Sequence, residues 1–165
     1  MPFETTTIIT YDEYKKFNYA VLHETLGFKI KILYIASVVL IIINVILIFL
    51  QGFVDSDNIA MFVFVIVWLF LWRFITYRQI KNFYNTTKAI QDKTAVITFF
   101  DDYFIDKTET FTTQLKYDEL YKIIETNTHF YLLLSKYGGG SIIVKENCSA
   151  ELIEFLQKIK REFEK

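Results

Sequence analysis

Ile32 to Leu50 reads ILYIASVVLIIINVILIFL, nineteen residues without a charge, and Ile59 to Trp72 reads IAMFVFVIVWLFLW. A helix rises about 1.5 Å per residue, so the first stretch matches the hydrocarbon thickness of a bilayer. Only Tyr34, Ser37 and Asn44 carry polar groups in it. The second stretch meets Arg73 after Trp72, but a snorkelling arginine lets the span run on through Phe74 and Ile75 to Tyr77. Neither stretch has the polar face of a helix from a soluble core. A cleaved signal peptide is the poorer reading, because the first apolar run begins some thirty residues into the chain. The pattern predicts a two-helix transmembrane hairpin.

Charge gives the expected orientation. Lys15, Lys16, Lys29 and Lys31 precede the first span and Arg73, Arg78, Lys81 and Lys88 follow the second, while the loop between them holds Asp55 and Asp57 and no basic residue. The rule that positive flanks stay inside puts both termini in the cytoplasm of a cell-membrane protein. Tyr34, Trp72 and Tyr77 fall near the same interface, where amphipathic rings are favoured.

The rest of the chain has room for one small domain. Its 165 residues are 53% apolar and 18% aromatic, too apolar for a disordered tail, and a net charge of −1 supplies no field for nucleic acid. A single cysteine, Cys148, excludes an intrachain disulfide and a cysteine-cluster metal site.

From the start, Glu4 to Thr10 is β-branched and predicts a strand. Thr10 and Glu13 have capping-box spacing, and Tyr14, Phe17, Val21 and Leu22 then recur at helical spacing toward Gly27. After the second span, Ile80, Phe83, Tyr84, Thr87 and Ile90 continue that spacing, which predicts a helical stalk ending near Gln91 to Lys93. Period-two runs follow at Ala95–Phe100, Tyr103–Ile105, Phe111–Lys116, Tyr121–Glu125, Phe130–Leu134 and Ser141–Val144, joined by hairpin-length turns such as Asp106 to Glu109. Short links of that kind demand antiparallel pairing. Ser149 is the expected N-cap of a final helix with Leu152, Leu156, Ile159 and Phe163 on one face. The predicted fold class is an α+β membrane protein. It divides into residues 1–28 (strand and amphipathic helix), 29–77 (hairpin, spans about 32–50 and 59–77), 78–93 (stalk) and 94–165 (β domain with its helix).

No constellation in the chain spells a chemistry. His23 and His129 are the only histidines, and no His, Cys or carboxylate set has metal-ligand spacing. Gly138-Gly139-Gly140 joins two strands and opens no helix, so it reads as a flexible hairpin tip and not as a phosphate loop. Asp101-Asp102 and Asp118-Glu119 lie in or beside turns, where carboxylates are common. Cys148 lacks a nucleophile signature. No catalytic residue, metal or cofactor is therefore expected. Two features remain as candidate sites. Lys29, Lys31, Arg73, Arg78 and Lys81 can meet anionic lipid headgroups. Asn44, in the first span, needs a partner that lipid does not offer: the facing span, a nearby carbonyl, a second copy of the chain or another membrane protein.

The segment Leu115-Lys116-Tyr117-Asp118-Glu119-Leu120-Tyr121-Lys122-Ile123-Ile124-Glu125, then Phe130-Tyr131-Leu132-Leu133, then Ile142-Ile143-Val144-Lys145 leading into the last helix, resembles the bacterial YcxB-like family. That resemblance implies a two-span hairpin followed by a pleckstrin-homology-like (PH-like) domain, a partly open barrel of about seven strands closed by a C-terminal helix. Only six strands follow the hairpin, so Glu4 to Thr10 is the expected seventh. The family implies no catalytic residues. The combined expectation is a non-enzymatic membrane-anchored module that binds a protein or peptide at the inner leaflet. Its specific version is protection against membrane-active peptides, by resemblance to small two-span immunity factors. Anionic-lipid sensing is the alternative, and a membrane enzyme the least favoured.

Overall fold

The computed structural model describes residues 2–52 and 54–163. Chain order is β1 (Phe3–Ile8), α1 (Tyr11–Gln51), α2 (Ser56–Thr86), β2 (Thr94–Phe99), β3 (Tyr103–Lys107), β4 (Thr112–Lys116), β5 (Lys122–Glu125), β6 (His129–Leu133), β7 (Gly140–Val144) and α3 (Ala150–Phe163). This is the α+β architecture read from the sequence, with all six expected strands after the hairpin and the seventh before it. The chain forms two compact units, Met1–Leu22 with Phe83–Lys165, and His23–Asn82.

The second unit holds the apolar lengths of α1 and α2. Both are long and apolar enough to cross a membrane, and only 11% and 6% of their apolar windows are buried. A helix from a soluble core would be covered by protein instead. α1 passes through Gly27 without interruption. α2 begins with a reciprocal cap that adds to the sequence expectations: Asp55 Oδ1 accepts from the Asn58 N–H at 2.8 Å, and Asn58 Oδ1 accepts from the Asp55 N–H at 3.4 Å.

In the first unit the strands form two antiparallel sheets, ordered β1-β2-β3-β4 and β5-β6-β7. The seven strands expected of a partly open barrel are thus divided between two ladders. β1 pairs with β2 over its whole length, from Phe3 opposite Phe99 to Ile8 opposite Thr94. Its other edge is covered by the turn after β7, where Asn147 Nδ2 donates to the Thr6 carbonyl at 2.7 Å and Thr5 Oγ1 donates to the Asn147 carbonyl at 3.2 Å.

The inner faces of both sheets meet α3 in one core of Ile97, Phe99, Phe104, Ile123, Phe130, Leu132, Ile143, Leu152 and Leu156. Ser149 caps α3 as expected, its Oγ accepting from the Leu152 N–H at 3.2 Å. The opposite face of β6 and β7 carries Tyr131, Leu133 and Ile142, which bury Phe17 and Val21 of α1. Burial on both faces explains why Phe130–Leu133 of β6 run on as consecutive hydrophobic residues without strict alternation.

Three local expectations need correction. The Thr10–Glu13 capping box is half formed: the Glu13 N–H donates to Thr10 Oγ1 at 3.3 Å, but the Glu13 carboxylate turns away to Lys16 and His129. α2 stops at Thr86, short of the expected end near Gln91 to Lys93. Beyond it, Tyr84 organises the return: its hydroxyl donates to the Ile9 carbonyl at 3.0 Å and lies 3.1 Å from the N–H of Asp92, whose φ is +51°. Finally, local pattern assigns Asp106 to a turn, yet β3 continues through it and buries it.

α3 is also held by charge. Glu125 on β5 accepts from Lys145 at 2.8 Å, Gln157 at 2.9 Å and Lys160 at 3.3 Å. Burial works to raise this carboxyl, but the three donors outweigh it and hold it at about 2. A carboxyl depressed on folding contributes stability that is present above its unfolded value, near 4.5, and is lost as pH falls toward 2. Acid denaturation of the full chain in detergent is expected to show this loss between those values, and Glu125→Gln to flatten it. Equal acid slopes for both proteins would refute the assignment.

Candidate functional site

In the first unit the four-stranded sheet ends at β4, its outer strand. The Thr108 N–H donates to the Phe111 carbonyl at 2.8 Å, and the Tyr117 N–H to that of Asp102 at 3.4 Å, which fixes the pairing at both ends of the β3–β4 ladder. By antiparallel alternation, residues 111, 113, 115 and 117 direct their backbone groups at β3 while 112, 114 and 116 direct theirs outward. The Lys116 N–H is taken by Glu119 Oε2 at 3.0 Å. The backbone of Thr112 and Gln114 is left facing away from the sheet. Such an edge is a template on which an extended chain can add a strand.

Inside the unit lie two polar constellations that bring together residues distant in sequence. Glu13 Oε2 meets His129 Nε2 at 2.5 Å while Glu13 Oε1 holds Lys16 at 2.7 Å. His129 is buried, stacks on Tyr131 with ring centroids 5.4 Å apart, and meets Thr128 Oγ1 through Nδ1 at 2.7 Å. Burial works to raise the Glu13 carboxyl, but the bonds from Lys16 and His129 outweigh it and lower it. Tyr131 is pushed up to about 12, by burial first and by the Glu13 charge second. The second constellation joins the sheets: Ser141 Oγ on β7 donates to Asp106 Oδ2 on β3. Burial raises the Asp106 carboxyl, against the lowering bond from Ser141. Neither set is visible in the sequence. The contacts span 116 and 35 residues, beyond any local motif.

Lys29, Lys31, Arg73, Arg78 and Lys81 are all exposed. Among the described residues, none of these five forms an ion pair or hydrogen bond. Arg78 lies over the Phe74 ring at 5.1 Å. Asn44 is buried, its Nδ2 donating to the Asn58 carbonyl of the facing helix at 3.4 Å and approaching Met61 Sδ at 3.2 Å, while its Oδ1 has no partner among the described residues. Asp101 and Asp102 line a shallow depression of about 330 Å³ with Pro2, Phe100 and Tyr103. Gly138, Gly139 and Gly140 all have positive φ, so this hairpin tip is a shaped turn. No group of three or more metal-ligating side chains occurs among the described residues.

Cys148 is half-buried, with Sγ 3.3 Å from the Val144 carbonyl and 3.6 Å from Thr5 Oγ1. Burial pushes the thiol up, outweighing the lowering by Thr5 and Lys145, whereas a thiolate nucleophile needs the reverse. Maleimide modification of the folded protein is expected to be at least tenfold slower than after denaturation. Equal rates would mean the Thr5 contact is absent in solution.

No curated protein and no solved structure matches the chain. The model of the YcxB-like protein family matches residues 99–159. Those residues run from the end of β2 to Ile159 of α3 and include the β4 edge, the Asp106–Ser141 pair and Glu125. The family that the strands and final helix resemble is the one found, and this chain carries a YcxB-like region from 99 to 159.

Proposed function

We propose that this protein is a non-enzymatic, membrane-anchored interaction module. The helices of the second unit cross the bacterial cell membrane, both termini lie in the cytoplasm, and the first unit binds an extended segment of a protein or peptide. The observation that carries this reading is the β4 edge: two residues, Thr112 and Gln114, whose backbone groups point away from β3, the one strand they pair with among the described residues. Anchoring raises the effective concentration of such an edge for partners already in the membrane.

The test is purification of the tagged chain from native membranes in mild detergent, with mass spectrometry of what stays bound, for wild type and Gln114→Pro. Proline on the solvent side of an edge strand keeps the ladder but removes an outward donor and blocks strand addition. Loss of a stoichiometric protein partner from the variant supports the reading, and retention of the same partner refutes it. The protective version adds a susceptibility assay across a panel of membrane-active peptides. Equal killing with and without the gene counts against that version.

The second reading is anionic-lipid sensing, favoured by the five exposed cations Lys29, Lys31, Arg73, Arg78 and Lys81. Each would gain about 1 kcal/mol close to an anionic surface, falling within a Debye length. An enriched anionic lipid that washes off with salt would favour it over the first.

A further inference from the structure

We infer that the β6–β7 tip is a second membrane contact, a small aromatic foot by which the first unit rests on the lipid surface. This rests on the reading that the second unit crosses a bilayer. The first turns of α1 cross the three-stranded sheet in a defined direction. Glu13 of α1 meets His129 of β6, and the Phe17 ring packs on that of Tyr131 at 5.6 Å. Four helical residues advance about 6 Å and two strand residues about 6.6 Å, so helix and strand run side by side in the same direction. Val21 and Leu133 join the same buried cluster one step further on. Leu22, where α1 leaves this unit, therefore lies at the end of the sheet from which the tip projects.

That end differs from its opposite in composition. Tyr137 is 87% exposed, Tyr121 45% and Leu134 41%, and the Tyr121 N–H, donating to the Leu133 carbonyl at 2.8 Å, sets that ring beside the base of the tip. Lys136 lies over the Tyr137 ring at 6.0 Å. At the other end the turn Thr126 to Thr128 carries no apolar side chain. Tyrosine and lysine are the side chains that sit at a lipid–water boundary, each with an apolar body and a polar end.

The tip is also preorganised. Ser135 Oγ donates to the Gly138 carbonyl at 2.5 Å, the Leu134 N–H donates to that of Gly139 at 2.9 Å, and the glycines supply the positive φ angles. Tyr137 is held out by a closed turn. Ten residues lead from Leu22 to Ile32, where the apolar stretch starts, and a helix of that length is about 15 Å long. With Ile32 at the bilayer, the covalent link alone holds Leu22 within about 35 Å of it, even if the ten residues between were fully extended. The occupant fitted to an aromatic foot so tethered is the lipid surface itself.

The test uses the full chain with Cys148→Ser, reconstituted in phosphatidylcholine vesicles containing lipid with a nitroxide near the headgroup. One environment-sensitive fluorophore is attached to each of three variants: Lys136→Cys at the tip, Asn127→Cys at the opposite turn and Val38→Cys in the first apolar stretch. A second set of vesicles carries the nitroxide deep in the acyl chain, to report on position 38. Quenching at 136 is expected to be at least threefold stronger than at 127, and adding Leu134→Ser with Tyr137→Ser is expected to reduce it toward the level at 127. Equal, weak quenching at 136 and 127 while 38 is quenched by the deep nitroxide overturns the foot alone. Absence of deep quenching at 38 overturns the spanning reading, and the foot with it.

Discussion

Replacing Gly140 with alanine is expected to destabilise the first unit by on the order of 3 kcal/mol or more, a large effect for a single added methyl group. Gly140 opens β7 opposite Leu133 at a φ of +145°, and a Cβ built there would stand 1.9 Å from the Leu132 carbonyl oxygen. The obstacle is backbone in a strand buried on both faces, so it cannot swing aside as a side chain would. Gly139 is the control. Its φ is +78° with nothing within 4 Å of an added Cβ, so alanine there meets only the left-handed backbone penalty of about 1–2 kcal/mol. Denaturant unfolding of the two variants in detergent checks this. If Gly140→Ala unfolds no earlier than Gly139→Ala, β6 and β7 do not approach as described.

Removal of residues 2–8, leaving Ile9 and the Thr10 cap, is expected to cost on the order of 5 kcal/mol, comparable to the whole stability of a small domain. β1 buries Thr5 and Thr7 in the sheet, sets the Phe3 ring 5.3 Å from Phe155 of α3, and satisfies Asn147 in the turn after β7. Its loss would strip α3 of a ring contact and expose the edge of β2, a central strand. The measurement is limited proteolysis, with the YcxB-like region followed by antibody or mass. Protease resistance equal to that of the full chain would show that residues 99–159 hold their fold without the N-terminal strand.

The elements legible in the sequence share a cause: each is specified by residues close together in the chain. Nineteen uncharged residues make an apolar helix whatever surrounds them. The alternation from Ala95 onward, broken by polar turns, makes an antiparallel hairpin series because short links allow no other pairing. Ser149 before an amphipathic run caps a helix by a bond three residues long. Where local pattern misleads, tertiary contact overrides it. Thr87 and Ile90 continue the spacing of α2, yet the chain turns because Tyr84 binds Ile9 and Asp92. Glu13 stands where a capping carboxylate belongs, but a buried histidine 116 residues away claims one of its oxygens.

By itself, therefore, the sequence determined the composition and order of the elements, two long apolar helices interrupting an antiparallel β domain with a helix at its end. Only the tertiary structure decided that the seven strands divide into two sheets, that the start of α1, from Glu13 to Val21, lies along β6, and that Asp106 faces Ser141 across the core. The physical reason is the range of the interactions. Helix and hairpin formation is governed by side-chain period and turn chemistry within a few residues, whereas sheet partition and buried polar pairs depend on which surfaces meet once the whole chain has closed.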